Sequence, residues 1–272
     1  MGLMNKVVFD DIDSSDYDVY IAGDGAYNAP ARRGEMVTIP GRNGTLFMDE
    51  DSFENIDVTY PAFIGEFNES TFSTKLRNYR SALSSKKTYS RITDTYHPDE
   101  FRLGVFRSGI ETDPKHYTRA GQFSITFDCK PQRFLLSGEI PRTYNTGSGT
   151  IENPTPFNAA PLIKITGDGI ITIGDYQVEV SGNMGTFWLD SELMEAYIPA
   201  DELQDWTDEY GDIITDEHGF YLQFANGYVY PASMLQYVVF ANHLFPMIVP
   251  GIQAVDLTDI TEIVIIPRWW ML

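Results

Sequence analysis

The sequence is poor in features that would each point to a particular class of protein. Cys129 is the only cysteine among 272 residues, so an internal disulfide is excluded and stability has to come from packing and assembly. No stretch approaches the roughly 20 apolar residues of a membrane span, and the N-terminal MGLMNKVVFDD lacks the apolar segment of a secretory signal. We therefore expect a soluble protein that is synthesised in the cytoplasm and does not insert into a membrane.

Basic residues are nearly absent from the second half of the chain. Residues 1–142 contain 17 Lys/Arg and 21 Asp/Glu, a net charge of −4, whereas residues 143–272 contain 2 and 18, a net charge of −16. No Lys or Arg occurs between Lys164 and Arg268. Because proteins that hold nucleic acid use cations to displace phosphate counterions, we predict no specific nucleic-acid binding. A solubilising surface is the simplest interpretation of the acidic excess.

The motifs of catalysis are missing as well. The sequence has no phosphate-binding loop, HExxH, paired CxxC or GxSxG segment, and Gly23 and Gly25 lack the third glycine of a dinucleotide fingerprint. The acidic stretch 201–217 does not have the ligand order of a calcium loop. The histidines have no ligand spacing; they are His97, His116, His218 and His243. We predict that the protein is not an enzyme and has no catalytic, cofactor-binding or metal-binding residues and no cofactor.

What the sequence does contain is typical of β-sheets with one helix. Phe123, Ile125, Phe127 and Cys129 alternate with polar residues, which predicts a strand with one buried face and Cys129 pointing inward. A helix is predicted where apolar residues recur every three or four positions, at Phe72, Leu76, Tyr79 and Leu83. The fold class is therefore mainly β with minor α.

Residues 137–161 are rich in glycine and proline and coincide with the change in charge, so we place a domain boundary near residue 135. The two predicted domains are 1–135 and 136–272. The second reads as a series of hairpins, with turns at Gly174-Asp175 and Asn226-Gly227, a brief helix over 191–197 and a final strand at 263–266. Many short strands with turn signals predict an antiparallel β-sandwich.

Eight segments, taken together and in order, cover nearly the whole chain and carry a family resemblance. The first domain has five of them, namely GDGAYNAP (23–30), MVTIPGRNGTLFMD (36–49), NIDVTYPAFI (55–64), RITDTYHPDEFRLGVF (91–106) and FDCKPQRFLLSGE (127–139). The second domain adds NPTPFNAAPLIKITGDG (153–169), WLDSELMEAY (188–197) and the terminal IIPRWWML. Together they resemble the distal tail protein family of siphophages that infect Gram-positive bacteria. Within the second segment, Asn43-Gly44 suits a hairpin tip, because glycine there supplies the positive φ of a tight turn.

The resemblance implies a structural virion protein at the distal tip of the phage tail. It implies a homohexameric ring that joins the tail tube to the host-adsorption apparatus and leaves a channel for DNA. Residues 1–135 would form the ring as a β domain with one packed helix, and residues 136–272 would be a galectin-like β-sandwich. Whether the last residues run back to the first domain stays open. The implied neighbours are the tail tube protein, the tape measure protein, a tail-associated hub or lysin, and receptor-binding proteins.

Two other functions stay open beside the ring scaffold. A scaffold that also binds host cell-surface carbohydrate through the sandwich needs exposed aromatic side chains, for which Trp188, Trp206, Trp269 and Trp270 are available. Trp188 and Trp269 lie in strand-like apolar segments, where core packing is the better interpretation. A cell-wall glycosidase needs two carboxylates facing each other across a cleft, which a sequence does not reveal.

Overall fold

The computed structural model describes residues 5–23, 27–65, 69–110, 112–115, 120–182, 185–199, 204–205, 208–210, 212, 223–225, 228–230 and 233–272. The chain divides into two compact units. The first unit comprises Met1–Leu136 together with the C-terminal Leu272, and the second comprises Ser137–Met271. The predicted fold class, mainly β with a single α-helix among the described residues, is confirmed.

In the part of the first unit that the structure describes, there are ten strands and one helix. They are β1 (Val7–Phe9), β2 (Ile12–Asp13), β3 (Val19–Ile21), β4 (Arg32–Thr38), β5 (Thr45–Phe53), β6 (Ile56–Gly65), α1 (Glu69–Ser85), β7 (Ser90–Asp94), β8 (Glu100–Val105), β9 (Thr112–Lys115) and β10 (Ala120–Leu135). Short 3-10 helices span Ser14–Tyr17 and Leu136–Glu139. The main sheet has the order β2-β1-β7-β8-β10-β6-β3, and β9 also pairs with β10. β4 and β5 form a separate two-stranded sheet.

The core of the first unit lies between the sheet and α1. The inward residues of β10, from Phe123 to Cys129, are buried, so the predicted alternation is confirmed. The four apolar residues of the helix belong to the same buried cluster, which confirms the predicted helical face; they are Phe72, Leu76, Tyr79 and Leu83. The Tyr79 ring packs 5.2 Å from the ring of Tyr17 in the first 3-10 helix. No helix among the described residues is long and apolar enough to cross a membrane.

The described residues of the second unit form twelve strands. They are β11 (Arg142–Asn153), β12 (Leu162–Thr166), β13 (Gly169–Ile173), β14 (Tyr176–Val180), β15 (Thr186–Asp190), β16 (Glu195–Tyr197), β17 (Gln204–Asp205), β18 (Gln223–Ala225), β19 (Tyr228–Tyr230), β20 (Val238–Phe240), β21 (Gly251–Ile266) and β22 (Trp270–Met271). A 3-10 helix spans Leu235–Tyr237. The large antiparallel sheet of the second unit has the order β16-β15-β12-β21-β13-β14-β20, and β11 also pairs with β21. A smaller sheet consists of β17, β18 and β19.

One long strand organises the large sheet of the second unit. β21 pairs with β13 over residues 255–258 and with β12 over residues 262–266. Between these stretches Asp259 has a positive φ of 62°, and the partner strand β11 has a register shift between Asn145 and Gly147. The strand predicted over 263–266 is thus part of a strand of 16 residues, and it is not the last one, because β22 follows it.

The predicted turns have different outcomes. The Gly174-Asp175 hairpin is confirmed, because β13 and β14 pair up to Ile173↔Tyr176 and Gly174 has a positive φ of 55°. Residues 226–227 lie outside the described part, although β18 and β19 on either side of them pair. The helix predicted over 191–197 is wrong, since β16 occupies Glu195–Tyr197.

A buried carboxylate explains the missing helix. Asp190 Oδ1 accepts hydrogen bonds from the backbone N–H groups of Glu192 and Leu193, and Met194 has a positive φ of 53°. These bonds form a tight turn, after which the chain returns as β16 alongside β15. Asp190 also forms a two-pronged ion pair with Arg268, with Nη1–Oδ1 2.7 Å and Nη2–Oδ2 2.9 Å apart.

We expect Leu76→Ala to destabilise the first unit by about 2–5 kcal/mol, because it removes buried methyl groups and leaves a cavity under α1. Arg77 is exposed on the neighbouring helical position, so Arg77→Ala is the matched control and should cost far less. Denaturant unfolding of both variants measures the difference. Equal losses of stability would show that the helix does not pack through this face.

The Asp190–Arg268 pair predicts a pH dependence of stability. Burial alone would raise the pKa of the Asp190 carboxyl, but the hydrogen bonds from Arg268 hold it below the ordinary 3.8. A lowered folded pKa gives stability that is present above the unfolded pKa and lost as the pH falls through the folded value. We expect Arg268→Met to lower the free energy of unfolding at pH 7 by roughly 2–4 kcal/mol.

The same variant should flatten the loss of stability between neutral and acidic pH, because protonation of Asp190 would no longer break an ion pair. Lys164→Met is the matched control, since Lys164 lies 5.5 Å above the Trp188 ring and is not an Asp190 partner in any described contact. Thermal unfolding at a series of pH values tests this. If Arg268→Met lost as much stability between neutral and acidic pH as the wild type, the ion pair would not be the source of this pH dependence.

Candidate assembly surface

The hairpin of β4 and β5 is built from a regular antiparallel register. Met36 is opposite Phe47, Val37 is opposite Leu46, and Thr38 is opposite Thr45. At its base Arg32 forms an ion pair with Asp49, with 2.6 Å between Nη2 and Oδ2, next to a register shift between Arg32 and Gly34. The shift adds local twist where the hairpin leaves the main sheet.

The tip of this hairpin is the predicted turn, with one difference. Gly41 and Gly44 both have a positive φ of 81°, while Asn43 is not among the residues with positive φ. Glycine adopts this conformation without steric cost. Gly44 has the positive φ predicted for the turn without a contribution from Asn43, and Gly41 provides a second positive φ. The backbone N–H of Arg42 donates to the carbonyl of Ile39, 3.1 Å away. The loop is therefore longer than a two-residue turn.

Both faces of the hairpin carry exposed apolar side chains. Directly opposed residues share a face, so Met36 and Phe47 lie on one face and Val37 and Leu46 on the other. The exposed fractions are 65% for Met36, 55% for Met48, 43% for Leu46 and 41% for Phe47. Among the described strands, β4 and β5 pair only with each other. A strand pair that is apolar on both faces and open at both edges has the properties of a protein-protein contact.

Gly34 shapes one face of the hairpin. A Cβ atom at Gly34 would meet the Phe47 ring at 2.4 Å, so the ring lies directly over the glycine. The Phe47 ring therefore packs across Gly34 on the neighbouring strand, while 41% of the residue stays exposed. In the sequence this surface shows only as three consecutive apolar residues, Leu46, Phe47 and Met48.

The first unit also has an uncharged depression on the outward face of β6 and β10. Its volume is about 430 Å³, and residues of both strands and Ala22 line it. Phe63 is directly opposite Gln122, and Pro61 is opposite Ser124. The Phe63 ring lies 5.7 Å from Tyr20. This surface is free of Lys, Arg, Asp and Glu among its lining residues.

The residues considered for chemistry do not assemble into a site among the described positions. Cys129 is buried, and burial raises the pKa of its thiol to about 12, which excludes a reactive thiolate at neutral pH. His97 contacts Asp94 with its Nδ1 3.2 Å from Oδ1, while His116 and His218 lie outside the described residues. The acidic stretch 201–217 also lies outside them, apart from 204–205, 208–210 and 212. In the described part, no three His, Cys, Asp or Glu side chains come together to hold a metal ion.

The tryptophans have different environments. Trp269 is fully buried, as predicted, but Trp188 is only half-buried because it points away from the core residues Phe187 and Leu189. Trp270 stacks on Phe157 with 4.2 Å between ring centroids. Trp206 lies outside the described residues. The expectation that Trp188 packs in the core is therefore wrong.

Comparison with known protein families gives a match within the first unit. Residues 12–129 match the family described as the phage tail protein RIFT-related domain. This stretch contains the hairpin, the helix and the central strands of the main sheet. No curated protein sequence matches the chain significantly.

Solved structures extend the similarity over the whole chain. The Dit protein of phage SPP1, described as a paradigm of the hub adsorption apparatus in phages that infect Gram-positive bacteria, shares 15% identity at a TM-score of 0.65. That match covers 99% of this chain and all of the SPP1 protein. A chain of the phage P2 baseplate, in its activated conformation with Ca, covers 97% of this chain at 8% identity and a TM-score of 0.49.

The first unit thus matches a domain family of phage tail proteins, and the whole chain has the fold of the SPP1 Dit protein. At the level of that domain and of the fold, the resemblance predicted from the sequence is confirmed.

Proposed function

We propose that the chain forms a homohexameric ring at the distal tip of a siphophage tail, assembled in the virion after synthesis in the host cytoplasm. The ring joins the tail tube to the host-adsorption apparatus and leaves a channel for DNA. Its neighbours are the tail tube protein, the tape measure protein, the tail-associated hub or lysin and the receptor-binding proteins. Its role is structural rather than enzymatic. Residues 1–135 make the ring and residues 136–272 form a sandwich domain.

The β4–β5 hairpin carries the proposal. Its apolar faces, with Met36 and Phe47 on one side and Leu46 on the other, are exposed in a single chain. Apolar side chains in water are stabilised when another surface covers them. Because closed rings repeat one heterologous contact around an axis, a hairpin that reaches away from its own sheet suits the contact between consecutive copies.

The distribution of charge supports the same arrangement. Many basic residues of the first unit are already paired with carboxylates of that unit; these pairs are Lys6–Asp13, Arg32–Asp49, Lys75–Asp18, Lys86–Asp10, Arg107–Asp128 and Arg133–Glu100. Paired charges can approach neighbouring copies without uncompensated repulsion. The second half, with its net charge of −16, suits a solvated position at the periphery.

Carbohydrate binding by the sandwich stays a prediction without a supporting contact. A sugar stacks on an exposed aromatic face, but Trp269 is buried and one face of Trp270 is covered by Phe157. The Nζ atom of Lys164 lies over the Trp188 ring, 5.5 Å from the ring centroid. The glycosidase alternative likewise has no pair of described carboxylates facing each other across a cleft.

The ring contact is tested by placing one charge on each face of the hairpin, in Met36→Glu combined with Leu46→Glu. A carboxylate in an apolar interface loses its hydration, so we expect the protein to fold as before but to assemble at least about tenfold more weakly. Mass photometry and electron microscopy of the full chain measure assembly.

Ile252→Glu is the matched control, because Ile252 is an equally exposed apolar residue on a strand of the second unit. It should assemble like the wild type. Rings that form normally in the hairpin variant, with the wild-type melting temperature, would remove the hairpin from the contact.

We further expect the assembled ring to have no measurable affinity for double-stranded DNA near physiological ionic strength. Each unpaired cation on a channel wall would release phosphate counterions and retain the DNA, and a ring would repeat the effect in every copy. The ion pairs of the first unit reduce the number of such cations. A mobility-shift titration at several salt concentrations tests this, and tight, salt-sensitive binding would contradict it.

A further inference from the structure

The tip of the β4–β5 hairpin places an asparagine directly before a glycine. Asn43 and Gly44 are both exposed, and a Cβ atom built on Gly44 would meet no other atom within 4 Å. The other Asn-Gly pair of the chain, residues 226–227, lies outside the described part. Asparagine is one of the chemically labile residues of proteins, because a nucleophile can attack its amide carbon. The nucleophile nearest to Asn43 along the chain is the backbone nitrogen of Gly44.

The two reacting groups are not tied to other parts of the hairpin. Among the described residues, the Asn43 side chain has no hydrogen-bond partner and the Gly44 N–H donates to no backbone carbonyl. The backbone hydrogen bond of the loop, from the Arg42 N–H to the carbonyl of Ile39, lies before Asn43. The amide carbon and the backbone nitrogen are therefore free to approach each other in water.

The glycine also removes the steric barrier to this approach. Gly44 has a positive φ of 81°, a conformation that glycine adopts at no steric cost and most residues avoid. Because it has no Cβ atom, its nitrogen can turn toward the side chain of Asn43. A larger residue at position 44 would crowd the ring that this attack has to close.

Asn153 shows the opposite arrangement. It is buried, and its Nδ2 donates to the carbonyl oxygens of Phe157 and Ile248 at 2.8 and 2.9 Å. Its Oδ1 accepts from the backbone N–H of Thr155 at 2.9 Å. The next residue is Pro154, which has no N–H to lose. Asn153 is therefore an unreactive control within the same chain and under the same solution conditions.

We propose that Asn43 is a site of spontaneous deamidation. The Gly44 nitrogen loses its proton and bonds to Cγ of Asn43, and the side-chain amide takes up a proton and leaves as ammonia, which leaves a cyclic succinimide. Water then opens the ring at either of its two carbonyl groups, so a carboxylate forms with an aspartyl or an isoaspartyl linkage. The net reaction consumes a water molecule and releases ammonia, and nothing is oxidised or reduced.

The modification changes both the charge and the backbone of the hairpin tip. Arg42 is the only charged residue of the loop 39–44, so a new carboxylate beside it turns a positive tip into a neutral one. The isoaspartyl linkage also inserts an additional methylene group into the backbone. The reaction requires only an exposed hairpin and water. It therefore does not depend on the proposed ring, and the two proposals fail separately.

Peptide mapping by mass spectrometry tests the proposal after prolonged incubation of the full chain in mildly alkaline water enriched in heavy oxygen. We expect the peptide that contains Asn43 to lose its amide and gain a single heavy oxygen, whereas the peptide that contains Asn153 stays unchanged. The rate should rise with pH, because the attacking nitrogen has to lose its proton. Asn43→Gln should abolish the modification at this position, since glutamine would have to close a larger ring.

An isoaspartyl methyltransferase with labelled S-adenosylmethionine gives a second readout, because it methylates the isoaspartyl product and not asparagine. Aged wild-type protein should accept methyl groups on the peptide that contains position 43, and Asn43→Gln aged in the same way should accept none there. An Asn43 peptide that keeps its amide for as long as the Asn153 peptide would overturn the proposal. Equal methylation of this peptide in the wild type and in Asn43→Gln would overturn it as well.

Discussion

Each unit depends on one strand that is long enough to pair with two sets of partners. β10 and β21 are both 16 residues long, more than twice the usual length of a strand. β10 pairs with β6 along one edge and with β9 and then β8 along the other, and a register shift between Cys129 and Arg133 interrupts the pairing with β8. β21 changes partners from β13 to β12 around Asp259. Each long strand thus pairs with several partners in succession and organises a whole sheet.

Periodicity in the sequence predicted those parts of the fold that face a single core. The alternation that ends at Cys129 was sufficient to predict β10, and the spacing that begins at Phe72 was sufficient to predict α1. In each element one face is buried and the other is exposed to solvent. The segment 191–197 failed for the opposite reason. Its apolar spacing fits a short helix, but the side chain of Asp190 caps a turn there and the pairing with β15 determines the conformation.

A single sequence does not reveal that the β4–β5 hairpin is exposed or that Arg102 and Arg133 lie opposite each other. A strand with apolar residues on both faces is typical of a strand buried on both sides, so nothing in LFM distinguishes a contact between chains from a core. Arg102 and Arg133 are 31 positions apart, and their proximity follows from the β8–β10 register. Register across a shift is set by tertiary packing and not by local pattern.

The charge asymmetry has a structural counterpart in the second unit. Its three basic residues are all engaged: Arg268 pairs with the buried Asp190, Lys164 lies over the Trp188 ring, and Arg142 lies over the Trp269 ring. Most of its carboxylates therefore have no cation of their own unit to neutralise them, and copies of this unit repel one another over about a Debye length.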